Sequence, residues 1–254
     1  MREETQRFRD LEGPLGEVAL GGTAIGTGVN APKGYAVVAC KHLAVISGFP
    51  ITTASNPIEA TSDTGMYLSW SSVLRRTATK LSKICNDLRL LASGPRAGLG
   101  EIRLPPVQAG SSIMPGKVNP MIPEMVNQVA YQVMGNDLTV MLACEGGQLQ
   151  LNAFEPIMVA NLLQSIEIMK RAMRILADRC IAGITPNTAH YQKNLDAAIT
   201  LLTLLNPQLA YEVSAELAME ALASDRTIRE LVIERGLMSS DAYDALVKAS
   251  ASID

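Results

Sequence analysis

Three stretches, Ile58 to Ala92, Pro123 to Leu142 and Leu149 to Ile181, constrain this chain more than anything else in it. In the first, Leu68, Val73, Leu74, Ala78, Leu81, Ile84, Cys85, Leu88 and Leu91 recur at steps of mostly three and four. In the third, Ile157, Leu162, Leu163, Ile166, Met169, Met173 and Leu176 do the same. That spacing lines one face of an α-helix. Helices of roughly twenty to thirty residues are long against a mean of about 11–12, and each reaches about 30 Å or more. A chain of 254 residues cannot cover three such faces within one subunit, so an obligate oligomeric bundle is expected. Hydrophobic residues make up 48% and aromatics only 4%, which suits helix-on-helix packing better than a β-sandwich.

The segments between these runs read as punctuation. Residues 1 to 12 are polar and look like the frayed tail of a helix. Leu20 to Asn30 holds Gly21, Gly22, Gly26 and Gly28 but neither a dinucleotide fingerprint nor a Gly-Lys-Ser/Thr, so it reads as a closely packed loop. Pro32 to Ser47 is predicted helical and ends at Gly48-Phe49-Pro50; Ile51 to Pro57 is an irregular crossing. Ser93-Gly94-Pro95 stops the first long run. Ala97 to Pro106 is a loop with a short extended piece near Glu101 to Leu104. Gly146-Gly147 marks a break before the third run. Gly183-Ile184-Thr185-Pro186 changes the character of the chain. Beyond it, shorter helices are expected at His190 to Leu205, Tyr211 to Ala223, Thr227 to Arg235 and Ser240 to Ser250. Thr227 and Gly236 are read as the two ends of a capped helix with Ile228, Leu231 and Val232 on its inner face. The expected organisation is a central helical-bundle domain over residues 1–183 and a small helical subdomain over 184–254.

Several function classes find no support. Net charge is −3, and no basic cluster exceeds the pair Arg75-Arg76, so nucleic-acid binding has no electrostatic footprint. Cys40, Cys85, Cys144 and Cys180 are scattered without a CxxC pair, which argues against zinc and fits a reducing compartment. Met1 to Arg7 is charged and lacks the apolar core of a signal peptide. The most apolar stretch, Ala197 to Leu205, is too short for a membrane span. A cytoplasmic protein without membrane or nucleic-acid partners is the expectation.

Gly110-Ser111-Ser112-Ile113-Met114-Pro115-Gly116-Lys117-Val118-Asn119-Pro120 lies between the first two long runs. Two glycines and two prolines prevent any regular element there. Two hydroxyls, an amine and an amide on a loop held by rigid helices make a plausible seat for chemistry. Taken singly, the residues have plainer readings. Lys117 suits a solvated surface, Asn119 before Pro120 suits a turn, and Met114 suits packing. Glu124 either complements the dipole of the helix it opens or pairs with Lys117.

The loop resembles the signature of the aspartase/fumarase superfamily, Gly-Ser-Ser-x-Met-Pro-x-Lys-x-Asn-Pro, whose members eliminate an amine or water to leave fumarate. The resemblance extends through Gly22 to Gly28, Ile84 to Arg96 and Val133 to Asp137. Within the superfamily, Pro123 to Val129 and Gly147 to Asn152 look like the aspartate ammonia-lyases, with fumarase as the alternative. The implied fold is all-α, a long-helix bundle of the aspartase/fumarase type with a small helical C-terminal subdomain.

Residue by residue, the resemblance implies that Ser111 is the catalytic base, and that Ser112, Ile113, Met114, Lys117 and Asn119 bind substrate. Removing a proton beside a carboxylate builds up negative charge, so stabilising that charge is most of the task. A serine acts as a base only when cations or amide donors favour its alkoxide; Lys117, Asn119 and backbone N–H groups near Ile113 and Met114 would supply them. Arg96 is expected to anchor the loop, and His42 and His190 to be structural. No metal and no cofactor are implied. The implied partners are a small dicarboxylate substrate and further copies in a homotetramer.

Family members are nearly twice as long, and two upstream motifs of their active site, one rich in Ser/Thr and Asn and one a Thr-x-His, have no counterpart here. The chain thus resembles the C-terminal half of an aspartase. The missing half could be a separate chain. The alternative function is a catalytically incomplete oligomeric scaffold.

Overall fold

A computed structural model describes residues 1–94, 97–108, 113–114, 118–224 and 226–250. The chain divides into two compact units, one of residues 1–90 and 104–184, the other of residues 91–103 and 185–254.

The first unit is built on three long helices: α5 (Gly65–Leu91), α6 (Met121–Glu145) and α7 (Glu155–Arg179). Cross-links between them set their directions. Ser71 meets Asp137 and Ser82 meets Asn127, a falling register that makes α5 and α6 antiparallel. Asn136 meets Ser165 and Cys144 meets Met158, so α6 and α7 are antiparallel as well. Leu74, Ala78, Leu81 and Cys85 of α5 pack with Val126, Ala130, Val133 and Val140 of α6 and with Met158, Leu162, Met169, Ala172 and Leu176 of α7. Alanines 78, 130 and 172 are at most 1% exposed and let the backbones approach. Each larger side chain removed from water contributes about 1.5–3 kcal/mol.

Shorter elements close the ends. α1 (Arg2–Asp10) is well-formed helix rather than a frayed tail, followed by α2 (Glu12–Leu15). Its Phe8 ring lies 5.6 Å from Trp70 of α5. Its Glu4, 1% exposed, accepts from Arg76 Nε (3.1 Å) and from the Lys80 ammonium. The lysine hydrogen bond, chiefly, holds the Glu4 carboxyl below the ordinary range. β1 (Glu17–Val18) pairs in parallel with β2 (Thr52–Thr53), which gives order to part of the expected irregular crossing. Between them runs α3 (Tyr35–Ser47).

The glycine loop is tightly packed. At Gly26, with φ of +82°, a Cβ would fall 2.3 Å from the Ile58 backbone, so only glycine fits.

Two of the long runs differ from their expected bounds. The first is broken: Asn56 caps α4 (Pro57–Ala60), with Pro57 opening it, and Asp63 Oδ1 accepts from Gly65 N–H (3.0 Å) where α5 begins. Apolar spacing does not register this local capping, which ends one helix and starts another. The third run begins at Glu155 rather than Leu149. Leu149 adopts φ of +51°, outside the helical region. Asn152 donates to the Ala143 and Cys144 carbonyls at the end of α6 and accepts from Phe154 N–H (2.8 Å).

The second unit contains a short antiparallel ladder, β3 (Ile102–Arg103) with β4 (Thr185–Pro186), and small helices. These are α8 (Thr188–Asp196), α9 (Leu202–Leu205), α10 (Tyr211–Ser224), α11 (Ile228–Glu234) and α12 (Ser240–Ser250). The expected run from His190 to Leu205 is therefore two helices, separated by a 3-10 turn at Ile199–Leu201. Leu202, Leu205, Leu217, Ala221, Ile228, Leu231, Val232 and Tyr243 form its core. Thr227 and Glu230 make a reciprocal capping box on α11, and Gly236 takes φ of +63° just past its end, in keeping with the expected capped helix.

Candidate active-site loop

The loop leads directly into the N-terminus of α6. Met121 N–H donates to the Asn119 carbonyl (2.8 Å), and Glu124 N–H to that of Pro120 (3.0 Å), closing the first helical turn. Asn119 is partly buried, while Ile113 is 87% exposed and Met114 half exposed. Ser111, Ser112 and Lys117 lie outside the described residues, as does Arg96. Of the six residues predicted for the site, the description therefore reaches Ile113, Met114 and Asn119. Glu124 occupies the first turn of α6, where a carboxylate complements the positive end of the helix dipole.

Behind the loop, the start of α6 is held to the end of α5. The Asn127 amide donates to the Ser82 carbonyl (3.1 Å) and hydroxyl (2.8 Å). Its oxygen accepts from Arg89, which also reaches Asn86. Further along, Asp137 accepts from Ser71 (2.7 Å) and forms an ion pair with Arg75 (2.9 Å). Asn136 accepts from Gln132 (2.8 Å) and donates to Gln164 and Ser165. These buried groups satisfy one another, so they fix how the helices slide relative to each other.

Sequence reading did not single out this network. Its signal was present, since Asp137 falls in the stripe Val126, Ala130, Val133 and Val140, where an acid is out of place. Glu4, four residues before Phe8 on α1, was missed in the same way. His42 is exposed on α3. His190 lies on α8 beside Gly100, where a Cβ would come within 3.4 Å of its ring. Among the described residues, no group of three or more His, Cys, Asp or Glu could hold a metal ion, and no helix is long and apolar enough to cross a membrane.

A family model described as lyase matches residues 1–135, and one described as fumarase C C-terminus matches residues 201–251. The chain belongs to this lyase family. Its fold is a helical bundle of the aspartase/fumarase type. An aspartate ammonia-lyase of Pseudomonas aeruginosa is 55% identical over 237 residues, covering 93% of this chain and 50% of that protein. The aspartate ammonia-lyase of Escherichia coli K12 is 47% identical over 244 residues, covering 96% and 51%. Among solved structures, a Brucella melitensis fumarate lyase:delta crystallin bound to cobalt superposes with a TM-score of 0.92 at 53% identity, covering 97% of this chain and 54% of that one. A class II fumarase from Schistosoma mansoni superposes with a TM-score of 0.84 at 34% identity, covering 96% and 55%. The chain spans about half the length of the curated relatives it matches.

Proposed function

We propose that this chain serves a carbon–nitrogen lyase that eliminates ammonia from L-aspartate to give fumarate, with Ser111 as the base. The observation that carries this reading is the loop from Gly110 to Pro120 at the head of α6, in a chain about half identical to aspartate ammonia-lyases over more than nine-tenths of its length. Ser111 takes the proton from the carbon beside the β-carboxylate. Lys117, Asn119, Ser112 and the backbone N–H groups of Ile113 and Met114 hold the negative charge that develops. Loop closure excludes water and strengthens these interactions. The substrate class is a small dicarboxylate.

The assembly proposed is a homotetramer of two-part chains, a bundle domain over residues 1–183 and a small domain over 184–254, with the remainder of the site contributed by a further polypeptide segment. Exposed apolar surface supports association. Val45 and Ile46 of α3 are 83% and 82% exposed, and Leu163 of α7 is 62% exposed, faces that a soluble monomer rarely leaves uncovered. The four cysteines are free, which suits the cytoplasm.

The test is fumarate formation, followed by ultraviolet absorbance, from L-aspartate and separately from L-malate. The purified chain is assayed with and without a polypeptide carrying the upstream Ser/Thr and Thr-x-His motifs. Turnover of L-aspartate in the combined preparation, lowered roughly 10²–10⁴-fold by Ser111→Ala as expected for loss of a general base, supports the reading. Preference for L-malate would instead make it a fumarase, the reading favoured by the fumarase C match over residues 201–251. No turnover from the well-folded combined oligomer would leave a scaffold.

A further inference from the structure

Helix α6 carries its core on one side. Val126, Ala130, Val133 and Val140 are buried in the core shared with α5 and α7. On the opposite side Tyr131, Leu138 and Leu142 are 56%, 54% and 57% exposed, with Gln128, Gln132 and Gly135 exposed among them. This outer side bears no charge. Between Glu124 and Glu145 the only charged side chain of α6 is Asp137, which is buried and paired with Arg75. Two of the polar groups outside are bound to the helix itself: Gln132 donates to Asn136 (2.8 Å), and the Thr139 hydroxyl to the Gly135 carbonyl (3.3 Å). A helix at the surface of a monomer normally turns charged residues to water.

Gly135 stands in the middle of that outer side, close to the midpoint of the helix from Met121 to Glu145. At Gly26 the missing Cβ makes room for the Ile58 backbone, but a Cβ at Gly135 would meet nothing within 4 Å. No contact inside the chain calls for glycine there, and glycine weakens a helix interior relative to alanine. Such a glycine, at the centre of an uncharged and largely apolar face, marks a place where another backbone comes close. The lack of charge identifies the occupant. A two-fold axis sets a face against itself, so every charge near the axis meets its like, and α6 has none there. Antiparallel packing about that axis brings opposite ends of the helix dipoles together and lays Tyr131 of one copy over Leu138 of the other.

We infer that α6 crosses α6 of a second copy of this chain, antiparallel about a two-fold axis, with the two Gly135 residues at closest approach. Tyr131, Leu138 and Leu142 surround the crossing and are withdrawn from water by it. The glycines bring the helix axes to the short end of the usual separation of about 8–10 Å. This crossing belongs to the homotetramer proposed above and depends on that reading, to which it adds the contact between two of the copies.

Sedimentation equilibrium of the purified chain tests the crossing. The parent should self-associate, and Gly135→Leu should raise the dissociation constant by about tenfold or more, because two added side chains fall at the point of contact. Its far-ultraviolet circular dichroism should match the parent's, since the new Cβ has open space around it within its own chain. If Gly135→Leu loses its helical signal, Leu138→Lys decides instead; the position is already half exposed, and the same loss of association is expected. Gly135→Cys should give a disulfide-linked dimer on mild oxidation, because such a bond requires Cα atoms within about 7 Å; the parent, with its four free cysteines, is the control. A folded Gly135→Leu that associates as tightly as the parent, or a Gly135→Cys that does not cross-link, overturns the crossing and leaves the lyase reading to the fumarate assay. A monomeric parent overturns the crossing and the homotetramer together. A parent that is monomeric alone but binds the polypeptide carrying the upstream motifs, while Gly135→Leu does not, also overturns it and gives the face to that segment.

Discussion

The bundle of α5, α6 and α7 and the small helical unit after residue 184 solve the same problem by opposite means. The bundle buries polar side chains at its centre: Ser71, Ser82, Asn127, Asn136, Asp137 and Ser165 are all at most 6% exposed and bond across helices. The small unit has a mostly apolar core, although Ser214 and Tyr243 are buried in it, and sets its geometry from the outside. It uses the Thr227 capping box and ion pairs such as Arg229 with Asp244 and Arg235 with Glu216 and Glu220. The difference follows from length. A long apolar stripe fits its neighbour almost as well one turn along, so specificity has to come from groups that tolerate one partner only. The helices of the small unit run from four to fourteen residues, so they have fewer alternative registers to exclude, and their ends are a larger part of them.

The sharpest way to break this comparison is to empty each core in turn. Leu217→Ala, at a site with no exposure, should cost about 2–5 kcal/mol. Because the small unit has little apolar core to spare, native-state hydrogen exchange should show its helices opening while α5 to α7 keep their protection. Equal loss of protection in both would mean that the two units unfold as one.

Asn136→Ala should cost about 1–3 kcal/mol, since Gln132, Gln164 and Ser165 lose a buried partner. The combined change Asn136→Leu with Ser165→Ala should recover much of that stability. If the network sets register, the recovered protein should show poorer dispersion in its amide NMR spectrum. A well-dispersed spectrum identical to that of the parent would remove the register argument.

Thr227→Ala removes one side of the capping box and should cost about 1 kcal/mol, read as a lower urea midpoint for the small unit alone. The smallest effect is expected at Glu4. Its carboxyl lies below the ordinary range in the folded chain, so its contribution is present above the unfolded value, about 4.3, and fades as pH falls through the folded value. Its partners Lys80 and Arg76 are 37% and 42% exposed, and solvent screening keeps the effect modest. Urea midpoints measured across the acid range should converge for the parent and Glu4→Gln at low pH and separate above it. Parallel curves would assign the burial of Glu4 to packing alone.

Much of the bundle was legible because a helical stripe is a local, repeating signal. In α5 the core residues Leu74, Ala78, Leu81 and Cys85 are ones whose spacing marked them. In α7 Leu162, Met169 and Leu176 are, but the marked Ile157, Leu163, Ile166 and Met173 are 37–62% exposed, and the buried Met158 and Ala172 were not marked. The capped helix at Thr227 was legible for the same reason, its signals lying within ten residues. The ends of the long helices were not, because Asn56, Asp63 and Asn152 decide them through hydrogen bonds that hydrophobic spacing does not register. The loop was legible as chemistry by its composition. The support beneath it, Asn127 on Ser82 and Asp137 on Ser71 and Arg75, joins residues 45 to 66 positions apart.

The sequence by itself determined that this chain is helical, that its long helices carry apolar stripes, and that a Gly-Ser-Ser loop precedes the second of them. These are consequences of periodicity and local backbone chemistry. Tertiary structure alone decided which polar residues are buried, which pairs hold the helices in register, and that the Tyr243 hydroxyl is buried without a hydrogen-bond partner among the described residues. Burial and partnership depend on residues far apart in the chain, and neither is a property of any residue taken by itself.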